Sequence, residues 1–230
     1  MKRFIIPLLI VTLFFGCSDD GDNPTGATVQ TITDIDGNVY HSVVIGTQTW
    51  MVENLMTTHY NDGTPIPLVT DSASWGKLTT PGYCWYYNNP TAYKNTYGAL
   101  YNWYAVGTGK LAPKGWHVPS DSEWTVLTTY LGGEKIAGAK MKEAGSAHWH
   151  GSWLGPNEGT NSSGFTAMPA GVRNTKGAFV SMGDGCSWWT STQLTYGIVV
   201  LRVIHVDGPK EIARDGYVKY IGNSVRCVKD

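Results

Sequence analysis

Hydrophobic and polar positions alternate most clearly near the start of the ordered part of the chain. Residues 29–33 and 39–45 bracket Asp36-Gly37, and this pattern predicts two strands joined by a hairpin turn. Gly46 then breaks the strand, and the alternation resumes with Trp50 and Val52 pointing inward. Residues 59–80 are rich in Asp, Gly, Pro, Thr and Ser and predict an exposed excursion around a short segment at 72–75. A short aromatic strand follows from Tyr83. Residues 97–106 place Leu100, Trp103 and Tyr104 on one helical face and predict a helix.

The most legible stretch is Gly115-Trp116-His117-Val118-Pro119-Ser120-Asp121-Ser122-Glu123-Trp124. Pro119 disfavours helix for the residues before it, and Ser120 with Glu123 has the spacing of a capping box, so a helix is predicted to begin at Ser120. Trp124, Leu127 and Leu131 recur at helical spacing until Gly132-Gly133. A weaker helix is predicted over 134–144, with Ala137, Met141 and Ala144 on one face and Gly138 loosening it. Residues 148–161 form a long polar and aromatic loop. Strands are predicted at 186–192 and 197–206, the second apolar on both faces and therefore central. A C-terminal hairpin is predicted from 217–221 and 224–228 around Gly222-Asn223, with Val225 and Cys227 on one face and Arg226 on the other.

The start of the chain changes the picture. Lys2-Arg3 precedes an apolar run over 4–15, too short to span a bilayer comfortably, and Gly16-Cys17 closes it. This resembles a lipoprotein processing site, with Phe14 departing from the usual pattern. It implies a signal peptide over 1–16, a lipidated Cys17, a polar tether over 17–28 and one domain over 29–230. Ser18-Asp19-Asp20 with Asp22 resembles the acidic tag of lipoproteins exported to the outer face of the outer membrane, so a lipid-anchored cell-surface protein is expected. A net charge of −1 with 15% charged residues leaves no basic field for nucleic acid. Ten Trp and thirteen Tyr against 28 Gly predict a loop-rich fold with much aromatic packing.

The chemistry-bearing residues give no catalytic motif. Asp34-x-Asp36-Gly37-Asn38 starts like a calcium loop, yet its glycine falls at the fourth position and Ile45 stands at the twelfth, so a hairpin turn is the expectation. No Cys-x-x-Cys, His-x-x-x-His or Gly-x-Ser-x-Gly occurs, and neither a metal nor a cofactor is expected. Among the histidines, His148 and His150 stand two apart. Glu53, Glu123 and Glu158 qualify as catalytic carboxylates by residue type alone.

Several separated stretches resemble one family, the Fibrobacter succinogenes major paralogous domain. They are Asp36-Gly37-Asn38-Val39-Tyr40, Ile45-Gly46 with Gln48-Thr49-Trp50-Met51, Glu53-Asn54-Leu55 and Tyr97-Gly98 with Leu100-Tyr101. The 115–124 stretch, Trp188-Trp189-Thr190-Ser191-Thr192 and Ser224-Val225-Arg226-Cys227-Val228 complete the set. That family is similar to the formylglycine-generating-enzyme branch of the C-type-lectin-like fold. The resemblance implies an α+β domain with two main helices, small twisted and mainly antiparallel sheets, and long loops. It also implies a Cys84–Cys227 disulfide, leaving Cys186 as the odd thiol beside Trp188. With those cysteines paired, no open copper-binding thiol couple remains for an oxidase of that branch, and a non-enzymatic protein is expected. The lectin-like scaffold points to a binding module. Its candidate ligand-binding residues are Trp149, Trp153, Asn157, Glu158 and Asn161, which would meet a glycan or a protein. Both Trp side chains could equally be packed in the core. Gly155-Pro156-Asn157 lacks the acid of the Glu-Pro-Asn tripeptide of calcium-dependent lectins. The alternative is an accessory structural subunit of an outer-membrane protein complex.

Overall fold

A computed structural model describes residues 30–151, 153, 155–208 and 210–230. The signal peptide, Cys17 and the tether lie outside the described residues. The chain runs through β1 (Thr31–Thr33), β2 (Val39–Ile45), β3 (Gln48–Met51), a one-turn helix α1 (Ser72–Trp75) and β4 (Tyr83–Cys84). A 3-10 turn at Tyr86–Asn88 leads into α2 (Pro90–Tyr97), β5 (Leu100–Tyr101), α3 (Trp103–Val106) and β6 (Trp116–His117). Then come α4 (Asp121–Tyr130), α5 (Glu134–Met141), β7 (Ala170–Arg173) and β8 (Phe179–Met182). The last strands are β9 (Gly185–Thr195), β10 (Ile198–His205), β11 (Ala213–Val218) and β12 (Val228–Lys229). Strands in the order β1-β2-β3-β12-β6 form one antiparallel sheet, and β11-β10-β9-β7-β8 form a second in which β7 and β9 run parallel. The class is α+β.

Local chemistry sets the best-defined elements. In the β1–β2 turn Asp34 Oδ1 accepts from the backbone N–H groups of Asp36 (3.0 Å) and Asn38 (2.9 Å), while Oδ2 accepts from Tyr40 Oη (2.6 Å). Both carboxylate oxygens are thus spent on the turn itself, which is what an Asx turn requires. At the start of α4, Ser120 Oγ accepts from Glu123 N (3.3 Å) and Ser120 N donates to Glu123 Oε2 (2.7 Å), the reciprocal capping box. Gly132 and Gly133 at φ near +100° end the helix, and Gly133 N donates to Thr128 O (2.8 Å). The buried face of α4, Trp124 and Leu127, meets Trp50, Phe165 and Trp188; ring centroids of Trp50–Trp124 and Trp124–Trp188 are 4.8 and 5.6 Å apart.

Three expectations are corrected. Residues 97–106 are not one helix. Gly98 sits at φ +76° with room for no side chain, since a Cβ there would lie 2.6 Å from Asn54 Cβ. The helix therefore stops at Tyr97, β5 pairs with β4, and α3 restarts with Asn102 Oδ1 accepting from Ala105 N (3.2 Å). Helix α5 ends at Met141 rather than Ala144, because Lys142 turns extended and buries its side chain. The C-terminal hairpin does not form. β11 pairs with β10 in the register Ile198↔Val218 to Val203↔Ala213, and β12 inserts between β3 and β6 with Val228 opposite Trp50 and His117.

Candidate functional site

The 148–161 loop does not assemble the expected binding constellation. Trp149 is buried in the core, donates from Nε1 to Ala167 O (2.9 Å) and lies under the Lys142 ammonium, 4.5 Å from its ring. Asn157 Nδ2 donates to the carbonyls of Glu143 (3.0 Å) and Gly145 (2.7 Å). Asn161, at φ +48°, accepts from Thr166 N (2.8 Å) and donates to Thr166 Oγ1 (2.9 Å). Glu158 pairs with Lys210 at 2.9 Å. Four of the five residues therefore shape the loop or pair across it, whereas Trp153, 85% exposed, stands clear in solvent. The two indoles part company: Trp149 is core and Trp153 is surface.

The disulfide implied by the resemblance is not formed. Cys84, Cys186 and Cys227 are separate buried thiols. Cys84 is enclosed by Trp75, Tyr86 and Leu100, whereas Cys227 belongs to the main core with Met51 and Val225. Each is closed into its own apolar cluster. Burial pushes the Cys84 thiol up to about 12 despite the opposing Arg173 guanidinium, and burial raises Cys186 and Cys227 as well. Neutral, enclosed thiols make poor nucleophiles. Among the described residues no group of three or more His, Cys, Asp or Glu could hold a metal ion.

Arg226, expected on the face opposite Val225 and Cys227, is a fully buried cation. Its guanidinium donates to Asn54 Oδ1 from Nε (3.1 Å) and Nη2 (2.8 Å), and from Nη1 to Phe165 O (2.6 Å) and Met51 O (3.3 Å). It lies 4.4 Å from the Phe165 ring. Burial among neutral acceptors draws its pKa down to about 10. Asn54 Oδ1 accepts from Trp188 Nε1 too (2.8 Å). This knot is structural and positions the second sheet against the first.

The second sheet has two unlike faces. The even-numbered positions of β10 face the helices, where Arg202 pairs with Asp121 of α4 and Glu134 of α5, each at 2.6 Å. Leu201, Val203 and His205 on the other face line an open trough of about 220 Å³, with Asn174 and Ser181 also in its lining. Cross-strand register puts Ser187 opposite Val203, Asp215 opposite Leu201 and Tyr217 opposite Val199 on that side. Register shifts between β9 and β10 at Val199 and Leu201 mark the bulge that bends these strands. Val172 of β7 and Ile221 contribute apolar wall, while Tyr217 stays 43% exposed at the rim. On the floor lies Asn223, fully buried, its backbone clamped to Tyr101 by a reciprocal pair of hydrogen bonds (3.0 and 2.9 Å). Ser187 Oγ hydrogen-bonds Asn223 Oδ1, and Asn223 Nδ2 has no partner among the described residues. A buried donor left unmatched costs about 1–3 kcal/mol.

A sequence model of the Fibrobacter succinogenes major domain matches residues 43–229. The chain belongs to that family. No curated protein and no solved structure gives a match. The family segment takes in both sheets except β1 and the first residues of β2, so it contains the Arg226 knot and the whole trough. The family's Trp188-Trp189 and Ser224-to-Val228 stretches are accounted for by that knot and by the strand behind the trough. The trough itself was missed because the strand at 213–218, which supplies Asp215 and Tyr217, carries Arg214, Asp215 and Gly216 and lacks an apolar alternation. The available signal was the doubly apolar 198–205 strand, whose two faces need separate coverings.

Proposed function

We propose that this chain is a non-enzymatic, lipid-anchored module of the outer-membrane surface that binds a glycan on the open face of its second sheet. The supporting observation is the trough, where a half-exposed Tyr217 and the Asp215 carboxylate flank a concave, largely apolar wall of Val172, Leu201, Val203 and Ile221. Ring faces stack on aromatics and sugar hydroxyls donate to carboxylates, so this combination suits a sugar better than a flat protein surface. On this reading the scaffold is of the C-type-lectin-like kind, with the ligand carried by a sheet face and not by the 148–161 loop. Three neutral, buried thiols support leaving catalysis out. The anchor rests on the Gly16-Cys17 processing site. Glycan-array binding by the detergent-purified full chain tests the proposal. Binding that falls about tenfold in Tyr217→Ala is expected; no glycan bound, or equal binding by the variant, would overturn it.

The second reading, an accessory subunit of an outer-membrane complex, is favoured by one observation. Trp153 is 85% exposed while Trp149, Asn157, Glu158 and Asn161 of the same loop are packed or paired, as expected of an aromatic anchor awaiting a protein pocket. Crosslinking from position 153 in the native membrane tests that role.

A further inference from the structure

The β9–β10 hairpin projects from the second sheet. Thr195 pairs with Ile198, so Tyr196 and Gly197 form a two-residue turn, with Gly197 at φ +89°. Tyr196 is 99% exposed and Leu194 46%. Val199, opposite Gln193, is the first buried residue of β10, and Tyr196 stands beyond it by roughly 10 Å of strand. No charged residue occurs from Gly185 through Leu201. Beside the tip, Val218 of β11 pairs with Ile198, and the chain continues to Lys219 and Tyr220. Lys219 Nζ donates to Gln193 Oε1 (2.8 Å) and lies 4.6 Å from the Trp103 ring. A projecting Leu and Tyr, uncharged strands behind them and a Lys–Trp pair at the base are the parts of a membrane-interface contact. Aromatic rings lie at headgroup level there, and a lysine reaches the phosphates.

We infer that this hairpin tip seats in the headgroup region of the bilayer, with Leu194 and Tyr196 entering it and Lys219 meeting lipid phosphate. The contact rests on the lipid anchor proposed above, adds which face the anchored domain turns to the membrane, and is independent of the glycan reading. Even fully extended, residues 17–30 span at most about 45 Å, close to the width of a domain of this size. Some part of the surface therefore stays near the lipid. Two side chains are too few to hold an unanchored protein on a bilayer, but an anchor supplies them at high effective concentration. Charge selects the tip over the next two most exposed aromatics, Trp153 and Tyr130. The loop of Trp153 and its neighbours carry Glu143, Glu158 and Asp184. Tyr130 ends α4, which opens with Asp121 and Glu123 and is followed by Glu134 of α5. Anionic headgroups repel such carboxylates. The hairpin and residues 216–220 supply one cation, Lys219, and no carboxylate; Asp215 lies further back, opposite Leu201.

Flotation of the full chain with vesicles of phosphatidylethanolamine and phosphatidylglycerol, followed by spin-label accessibility, tests this. A nitroxide is attached to Thr195→Cys and, in separate chains, to Val126→Cys and Trp153→Cys; Cys84, Cys186 and Cys227 are buried and stay unlabelled. The ratio of oxygen to nickel-chelate collisions at position 195 is expected to exceed that at 126 and 153 by about threefold, as for a site in the bilayer interface. Adding Leu194→Asp and Tyr196→Asp, both at exposed positions, should bring that ratio down to the level of the other two sites with the thermal transition unchanged. A raised ratio at 126 or 153 and not at 195 would overturn the inference in favour of another face. Equally low ratios at all three sites in a chain that floats would refute the tip contact and leave the anchor standing. A chain that does not float would overturn the anchor reading and the tip contact together.

Discussion

Removing the carboxamide of Asn54 should be among the most damaging single changes in the domain. Its Oδ1 accepts from Arg226 Nε (3.1 Å), Arg226 Nη2 (2.8 Å) and Trp188 Nε1 (2.8 Å), and all three donors are buried. Hydrogen bonds to a charged group contribute about 1.5–3 kcal/mol each and a neutral one about 1 kcal/mol. Two of the three share one guanidinium, which keeps Phe165 O and Met51 O, so the loss is less than the simple sum. Asn54→Ala is expected to cost about 3–5 kcal/mol, the range for removing one partner of a buried charge. For a domain of this size that lowers Tm by about 6–20 °C. Asn54→Asp keeps the oxygen and sets a negative charge against Arg226, but strips donors from Tyr97 O and Ser224 Oγ. It should cost less than the alanine variant at neutral pH. Arg226 would depress the pKa of the introduced carboxylate, so that advantage is present above the unfolded value and lost as pH falls through the folded one. Urea unfolding of the purified chain, followed by tryptophan fluorescence, reads all three proteins. An alanine variant within about 1 kcal/mol of wild type would refute the view that Asn54 holds the buried cation.

Three further expectations follow from the same contacts. His117 joins β6 to α4 and to the last residue, with Nε2 on Glu123 and Nδ1 on Asp230, both at 2.7 Å. Burial alone would lower its pKa, but the hydrogen bonds to Asp230 and Glu123 outweigh it and raise it above 6.5; Glu123 goes below 4.5 despite its own desolvation, held down chiefly by Ser120. The histidine's contribution is complete below its unfolded value and lost as pH rises through the raised folded one, whereas the glutamate's is complete above its unfolded value and lost as pH falls. The clasp should therefore be strongest between about 4.5 and 6.5, and a flat profile of wild type minus His117→Gln would exclude it. The three thiols should react with a thiol reagent only on unfolding, and reductant should leave Tm unchanged. A Cys84–Cys227 peptide in an unreduced digest would contradict both. Trp149→Ala should cost about 3–5 kcal/mol and Trp153→Ala less than about 0.5 kcal/mol in thermal unfolding, and similar losses would mean that the loop packs otherwise.

What the chain determined by itself lies within a few residues of each signal. The Ser120–Glu123 box, the Gly132-Gly133 stop and the Asp34 turn close hydrogen bonds at separations of two to six residues, and the local order of residues decides them. The 198–205 strand was equally legible from its apolar run. Tertiary structure decided the rest. Gly98 ends a helix because Asn54 lies against it, and Arg226 turns inward because Asn54 is 172 residues away in sequence but within hydrogen-bond distance in space. Lys142 leaves α5 for the same kind of reason, with His205 O accepting from its Nζ at 3.2 Å. Which indole of the 148–161 loop is core, which thiols stay apart and where a carboxamide lacks a partner all depend on strand neighbours far along the chain. A residue's own neighbourhood carries its backbone preference, but burial and hydrogen-bond satisfaction belong to the assembled pair, and only the folded chain supplies the second member.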